Sequence, residues 1–247
     1  MKIRLWRGFL LAVQNLTRLP VGNVSFDAEV FGRGTAFFPL VGLLVGAILT
    51  GIYYGGSLIW SSPVTAALMV AGGLVVTGGM HLDGFMDTLD GFGGGNAERR
   101  LEIMRDSRVG AFGVMGAISL LFLRFALFQS LSGSAWRLIL LAPVVSRCGV
   151  VWAIDLFPYV RPKGQGMFYK KYTGWREVVT ATALTLAIGF GIGGFAGCFI
   201  SAASFAIATL LGLFFSRRLG GLTGDTYGAV NEILEVAALA GGLVLLR

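Results

Sequence analysis

The sequence predicts an all-α fold: a polytopic membrane helical bundle with about seven transmembrane helices and an amphipathic helix at the N-terminus. Three observations predict it. Of 247 residues, 55% are hydrophobic and 13% charged, with a mean hydropathy of +0.76; a soluble domain averages about 25% charged residues. Apolar runs long enough to cross a bilayer recur along the chain. Sixteen of the twenty Lys and Arg residues fall in segments that these runs leave on one side, as expected of cytoplasmic loops. That bias accounts for the net charge of +7, so no nucleic-acid partner is expected.

Residues 1–20 place Trp6, Phe9, Leu10, Val13 and Leu16 on one helical face, flanked by Lys2, Arg4, Arg7 and Arg18. This predicts a helix lying on the cytoplasmic surface and ended by Leu19-Pro20. Gln14 and Asn15 interrupt its apolar run and no small-residue cleavage site follows, so no cleaved leader is expected. Residues 21–34 read as a polar connection. Thr35–Gly55 is the first span, with Pro39 in its first turns, where a missing N–H matters least. Ser57–Ser62 is an uncharged turn. Pro63–Met80 spans back, and is expected to run on as one helix into the acidic residues that follow.

Residues 83–109 form a charged connection to the third span, Gly110–Ser130. Leu138–Phe157 is the fourth. These two spans carry Arg124 and Arg147, which are costly in a bilayer and should face the bundle interior or a polar cavity. Residues 158–177 are basic, with Arg161, Lys163, Lys170, Lys171 and Arg176. Val178–Phe195 and Gly197–Phe215 make the fifth and sixth spans around a tight Gly-rich turn. A polar, Gly-rich segment at 220–235 leads into a shorter last span, from about residue 230 to Leu246. Only Arg137 and Arg247 face the opposite side. The whole chain, 1–247, reads as one domain. Cys148 and Cys198 lie in apolar runs without metal or disulfide spacing, as buried apolar residues do.

The chemistry concentrates in MHLDGFMDTLDG, residues 80–91. Asp83, Asp87 and Asp90 stand at i, i+4 and i+7, within about 60° of one another on a helix. Like charges on one face repel, whereas surface helices usually mix signs. A divalent cation would offset the repulsion, and hard oxygen ligands favour Mg²⁺ or Mn²⁺, singly or as a pair about 4 Å apart. The structural alternative is a solvated acidic helix end. Gly84 and Gly91 weaken the helix, so the spacing serves something other than propensity. His81, the only histidine, lies about 160° from Asp83 on a helix; it reads as a general base or as an interfacial polar residue. Glu98, Glu102 and Asp106 recur at i, i+4 and i+8 among Arg105 and Arg108. That is a salt-bridged face, or a place where Arg105 or Arg108 clamps a phosphate and Asp106 joins the metal ligands. Asp225 and Glu232, at i and i+7, share a face. Gly220, Gly221, Gly224 and Gly228 beside them would admit a ligand close to the backbone; alternatively, Asp225 is a helix N-cap. Lys163, Lys170 and Lys171 bind an anionic substrate or only set orientation. Arg147, next to Ser146, is a site candidate, and Arg124 a partner for a carboxylate.

Five stretches resemble the cobalamin synthase, or adenosylcobinamide-GDP ribazoletransferase, family: LTRLPV (16–21), FFPLVGLLVG (37–46), GGMHLDGFMDTLDG (78–91), RLEIMRDSRVGAFG (100–113) and GGLTGDTYGAVNE (220–232). The resemblance implies an integral enzyme of the bacterial inner membrane, working at the cytoplasmic face with Mg²⁺. It would join α-ribazole or its 5′-phosphate to adenosylcobinamide-GDP, releasing GMP and forming adenosylcobalamin or its phosphate. On this reading Asp83, Asp87, Asp90 and Asp106 hold Mg²⁺, and an aspartate or His81 takes the proton of the attacking hydroxyl. Arg105, Ser107, Arg108, Arg147 and Lys163 bind substrate, and Asp225 and Glu232 complete the metal site or bind ribose hydroxyls. The state of assembly, a homo-oligomer included, is left open. The acidic core also distantly resembles the CDP-alcohol phosphotransferases, although no Ala-Arg pair follows in register. Aspartate-rich helix ends also occur in UbiA-like prenyltransferases. A transporter would place its carboxylates near the bilayer midplane, whereas Asp83–Asp90 follow the end of an apolar run.

Overall fold

The computed structural model describes residues 2–134 and 136–245, without the side chains of residues 2–4. The expected positions of Lys2, Arg4 and Arg247 and the end of the last span at Leu246 therefore lie outside the described residues. Among the described residues all regular structure is helical, with one isolated parallel bridge between Tyr159 and Leu222. The helices are α1 (Lys2–Leu16), α2 (Ala28–Arg33), α3 (Phe38–Ser57), α4 (Ser62–Thr77), α5 (Met80–Gly91), α6 (Ala97–Ile103), α7 (Ala111–Gln129), α8 (Trp136–Leu156), α9 (Gln165–Tyr172), α10 (Trp175–Leu219) and α11 (Gly224–Leu245).

The amphipathic α1 forms, but its buried face is turned from the predicted one. Leu11, Ala12, Val13 and Leu16 are buried, while Trp6 is exposed. The helix stops short of Pro20 because the Arg18 N–H leaves it for the Val76 carbonyl at 2.7 Å. The segment expected to be a polar connection holds α2, whose N-cap Asp27 accepts from the Val30 N–H at 3.0 Å. Val30 and Phe31 are buried, and a 3-10 turn, Gly34–Phe37, joins α2 to α3.

The expectation of one straight helix through the acidic motif is wrong. Gly78 and Gly79 take φ of 66° and 68°, a left-handed conformation that costs a glycine little, and the chain bends by 91° between α4 and α5. The 16 residues of α4 span roughly 24 Å at 1.5 Å per residue. α5 then runs almost at right angles to that span, so we read it as lying beside the membrane-spanning segments rather than within them.

The predicted fifth and sixth spans are one 45-residue element, α10, broken at Gly194 (φ 58°, ψ −140°). Its arms lie side by side: the Trp152 indole donates to Thr182 on one arm at 2.9 Å and stacks on Phe205 of the other at 5.4 Å. The last helix begins at Gly224, inside the Gly-rich segment, because Thr223 and Thr226 cap it reciprocally. Among the described residues, five helical stretches are long and apolar enough to cross a membrane, six if the bent α4–α5 pair is one span. The seven predicted spans are thus not recovered as separate helices.

α8 is the central helix, packed against α3, α10 and α11; Val144, Val145, Cys148, Val151 and Ile154 are buried along it. Outward-facing Val75, Phe122, Phe195 and Val244 are exposed, an apolar exterior of the kind a bilayer covers. The acidic helix α5 is held by α11 and α7. Its contact with α11 is backbone to backbone. A Cβ on Gly84 would lie 2.8 Å from the Asp225 Cα, and one on Gly228 would lie 2.9 Å from the His81 carbonyl oxygen. This supplies the reason for Gly84, while Gly91 makes room for Met104, whose side chain a Cβ there would meet at 2.5 Å. Gly228→Ala is expected to destabilise by about 1–3 kcal/mol through overpacking, seen as a lower thermal midpoint of the detergent-purified protein; an unchanged midpoint would mean that α11 shifts freely against α5.

Candidate active site

Where α5, the start of α11 and the segment 159–166 meet, a cleft of about 310 Å³ opens, lined among others by Asp83, Tyr159, Arg161, Lys163, Asp225 and Tyr227. Its walls follow from local structure. The Tyr159–Leu222 bridge, with Val160 N–H to Leu222 O at 3.0 Å and Leu222 N–H to Pro158 O at 2.8 Å, fixes the basic segment beside α11. The Gly84 contact sets Asp225 against the α5 backbone, between the positions of Asp83 and Asp87. Arg161 makes an ion pair with Asp225 and also donates to the Met104 carbonyl at 3.2 Å. Three carboxylates thus share one paired guanidinium.

The surplus of negative charge acts on Asp87. Burial, then the neighbouring Asp225 and Asp83 carboxylates, push its ionisation up to about 7, against the pull of Arg161. A carboxyl raised in this way stabilises the fold fully below the ordinary carboxylate value, about pH 4, and that contribution is lost as pH rises through about 7. Without divalent cations, the thermal midpoint of the wild type should fall between about pH 5 and 8, and that of Asp87→Asn should fall less; parallel curves would count against this environment.

The other predicted site residues divide. Asp83 faces the cleft and is exposed, and Lys163 stands at its mouth. Asp90 does not join the stripe. It is buried and accepts from the N–H groups of Gly110 (2.8 Å) and Gly113 (2.7 Å), so it caps the N-terminus of α7. Asp106 lies beyond the end of α6, out of helical register. Arg108 binds it through Nε and Nη2, and this pairing, with the Arg108 N–H, holds its carboxyl down to about 2. The proposed ligand set Asp83, Asp87, Asp90 and Asp106 is therefore not brought together. Arg105 and Ser107 are exposed on the loop that follows Met104.

Glu232 and Arg147 also leave the site. Glu232 is buried and pairs with Arg124 at 2.8 Å. Arg147 is 1% exposed and pairs with Glu235 at 2.7 Å. Arg124 does take carboxylate partners, as expected, and reaches Glu235 as well at 3.1 Å. His81 is buried between this network and the cleft, which it also lines, with its Nδ1 unpartnered. Lys170 donates to the Ile154 and Asp155 carbonyls at 3.0 and 2.7 Å, closing the end of α8, and Lys171 lies over the Tyr172 ring. Sequence reasoning missed Arg161, Tyr159 and Tyr227 as cleft residues. The position of Arg161 in the basic segment was visible; its pairing across the fold with Asp225 was not.

Among the described residues no three acidic, His or Cys side chains close round a single ion as they stand. Mg²⁺ does not require that. It commonly keeps its waters and takes one or two carboxylates plus substrate phosphates, which Asp83 and Asp87, in an under-neutralised cleft, can supply.

The family model described as cobalamin-5-phosphate synthase matches residues 8–244. A protein of Roseiflexus sp. (strain RS-1) named adenosylcobinamide-GDP ribazoletransferase is 40% identical, over 93% of this chain and 86% of the relative. Proteins of the same name from Brevibacillus brevis (36% identical, 94% of this chain and 95% of the relative) and Desulforamulus reducens (37%, 91% and 91%) are also similar. No solved structure matches the chain.

Proposed function

The chain belongs to the cobalamin-5-phosphate synthase family, and from that premise we propose that it joins α-ribazole, or its 5′-phosphate, to adenosylcobinamide-GDP in the acidic cleft. The observation that carries the cleft assignment is the meeting of Asp83 and Asp225 with Arg161 and Lys163 at one opening, with Asp87 behind them close enough to feel the Asp225, Asp83 and Arg161 charges. A pyrophosphate needs both signs there: cations for its oxygens, and carboxylates for the metal ion that accompanies it.

The reaction splits the pyrophosphate. A ribose hydroxyl of the ribazole attacks the phosphorus nearer the cobinamide, the bond from that phosphorus to the bridging oxygen breaks, and GMP leaves. The attacking group is not the 5′-hydroxyl, which in the 5′-phosphate is esterified and stays so in the product. Asp83 and Asp87 would hold Mg²⁺, which when bound supplies charge neutralisation for the phosphates. Lys163 and Arg105 hold phosphate oxygens and orient the diphosphate. A cleft aspartate accepts the hydroxyl proton; His81 also lines the cleft, but burial and then the nearby Arg147 lower its basicity to about 3, which makes it the weaker acceptor. Asp90 acts indirectly by fixing α7. The basic segment at 158–177 lines the cleft, and Arg161 ties it to Met104 of the basic segment at 99–108, which supports an active site on the cytoplasmic face of the inner membrane.

Purified protein given adenosylcobinamide-GDP, α-ribazole and Mg²⁺ should release GMP and form the cobamide; no release under these conditions would sink the assignment. Within it, Arg105→Ala should raise KM for the GDP substrate by about tenfold with little change in thermal midpoint, because its side chain is exposed. Equal losses of midpoint and activity would make Arg105 a structural residue.

A further inference from the structure

We propose that Arg161 is an exchangeable internal counter-ion: it occupies Asp225 while the cleft lacks a divalent cation, and when the cation enters it releases Asp225 as a further ligand and transfers to the substrate's diphosphate. This rests on the metal reading given above and goes beyond it by naming what keeps the site closed when empty and what the displaced guanidinium then does.

The geometry carries the argument. Arg161 bridges two elements that do not otherwise need it, the Asp225 carboxylate at the start of α11 and the Met104 carbonyl at the end of α6. Both bonds come from Nη2, while its buried Nε has no partner. The guanidinium therefore spends one corner of its fork and leaves donors free, although Arg is suited to bidentate binding of an oxyanion. Its backbone is held by the Tyr159–Leu222 bridge, so exchange needs only a side-chain rotation. The charges also balance. Asp83, Asp87 and Asp225 carry three negative charges when ionised and Arg161 one positive charge, which leaves a deficit matched by one divalent cation. A divalent cation that takes Asp225 competes with the guanidinium for the same oxygens. A diphosphate arriving with the cation offers the freed guanidinium a doubly charged acceptor at the mouth that Lys163 lines. Arg105 follows Met104 directly in sequence, so the carbonyl that Arg161 leaves belongs to the loop bearing the other exposed cation.

The test compares wild type, Arg161→Gln and Arg161→Lys as full-length protein in detergent, titrating Mg²⁺ calorimetrically without nucleotide and then with GDP present. Gln keeps a donor for the Met104 carbonyl but removes the charge, which protects the fold. Arg161→Gln should bind Mg²⁺ alone about five- to tenfold more tightly than wild type, because a competing cation is gone. It should also lose most of the mutual enhancement between Mg²⁺ and GDP. Arg161→Lys, a point charge without the fork, should restore the weaker Mg²⁺ binding but only part of the coupling. A purely structural Arg161 would weaken or leave unchanged the binding of Mg²⁺ on removal, and that result overturns the exchange while leaving the metal site standing. Saturable Mg²⁺ binding by none of the three, with or without GDP, overturns the metal site and this inference with it.

Discussion

Arg147→Ala is expected to be the most damaging single substitution in the protein, with a loss of about 3–5 kcal/mol, the usual cost of removing one partner of a buried ion pair. Its guanidinium is buried in the centre of the bundle, paired with Glu235 at 2.7 Å and donating to the Pro143 carbonyl at 3.1 Å. Arg124 contacts both Glu232 and Glu235. The four side chains make an alternating chain, Arg147–Glu235–Arg124–Glu232, linking α7, α8 and α11, and Asn231 and Ser146 extend it through a hydrogen bond of 3.0 Å. Removing Arg147 leaves Glu235 sharing Arg124 with Glu232, a surplus negative charge in a region without solvent. The expected result is a protein that fails to leave the membrane as a monodisperse species, or does so with a much reduced thermal midpoint. The double change Arg147→Met with Glu235→Leu should recover part of the loss, because it removes both charges and keeps the volume. If the single variant matched wild type in midpoint, the network would not be holding the bundle.

Asp87→Asn should have the opposite signature: kcat down by about a hundred- to a thousandfold, the scale of losing one preorganised electrostatic contact, with the fold intact or stabilised near neutral pH. The reason is the repulsion that raises its ionisation to about 7. Asn keeps the shape and removes that repulsion from Asp83 and Asp225, so the gain in stability accompanies the loss of function. Asp90→Asn offers the contrast. It weakens charge-assisted bonds to Gly110 and Gly113 and should lower stability by about 1 kcal/mol, with activity following only as far as α7 loosens. Steady-state kinetics and thermal midpoints on the three proteins separate the roles; a kcat loss for Asp90→Asn as deep as that for Asp87→Asn, at unchanged stability, would return Asp90 to the catalytic group.

The comparison of these two aspartates shows what the sequence could and could not disclose. Spacing placed Asp83, Asp87 and Asp90 on one helical stripe, and α5 is indeed a helix from Met80 to Gly91. Period alone does not say what faces the stripe. Its last residue meets the start of α7 and its middle meets α11, because α5 is turned by the Gly78-Gly79 bend. Two consecutive glycines at the end of an apolar run were visible, but their left-handed angles depend on where α5 must dock. Apolar content located α3, α7 and α8 closely, since transfer to lipid depends on composition. The start of α11 was placed too late because Gly-rich sequence reads as loop, whereas here the glycines are the contact surface between helices. Glu232 was assigned by its seven-residue spacing from Asp225, yet it lies two turns deeper, where Arg124 meets it. Long-range charge partners such as Arg161 with Asp225 cannot be read from a local pattern.

The backbone contact of Gly84 with Asp225 and of Gly228 with His81 sets an order of events during synthesis. One wall of the cleft, on α5, is translated well before the other, which belongs to α11. Until that helix has emerged and inserted, α5 has lost its main neighbour, Asp83 and Asp87 have neither Asp225 nor a completed pocket, and Arg124 and Arg147 wait without the glutamates that neutralise them. The cleft and the neutralised core therefore close together, only once α11 is in place, and a chain terminated before α11 has neither.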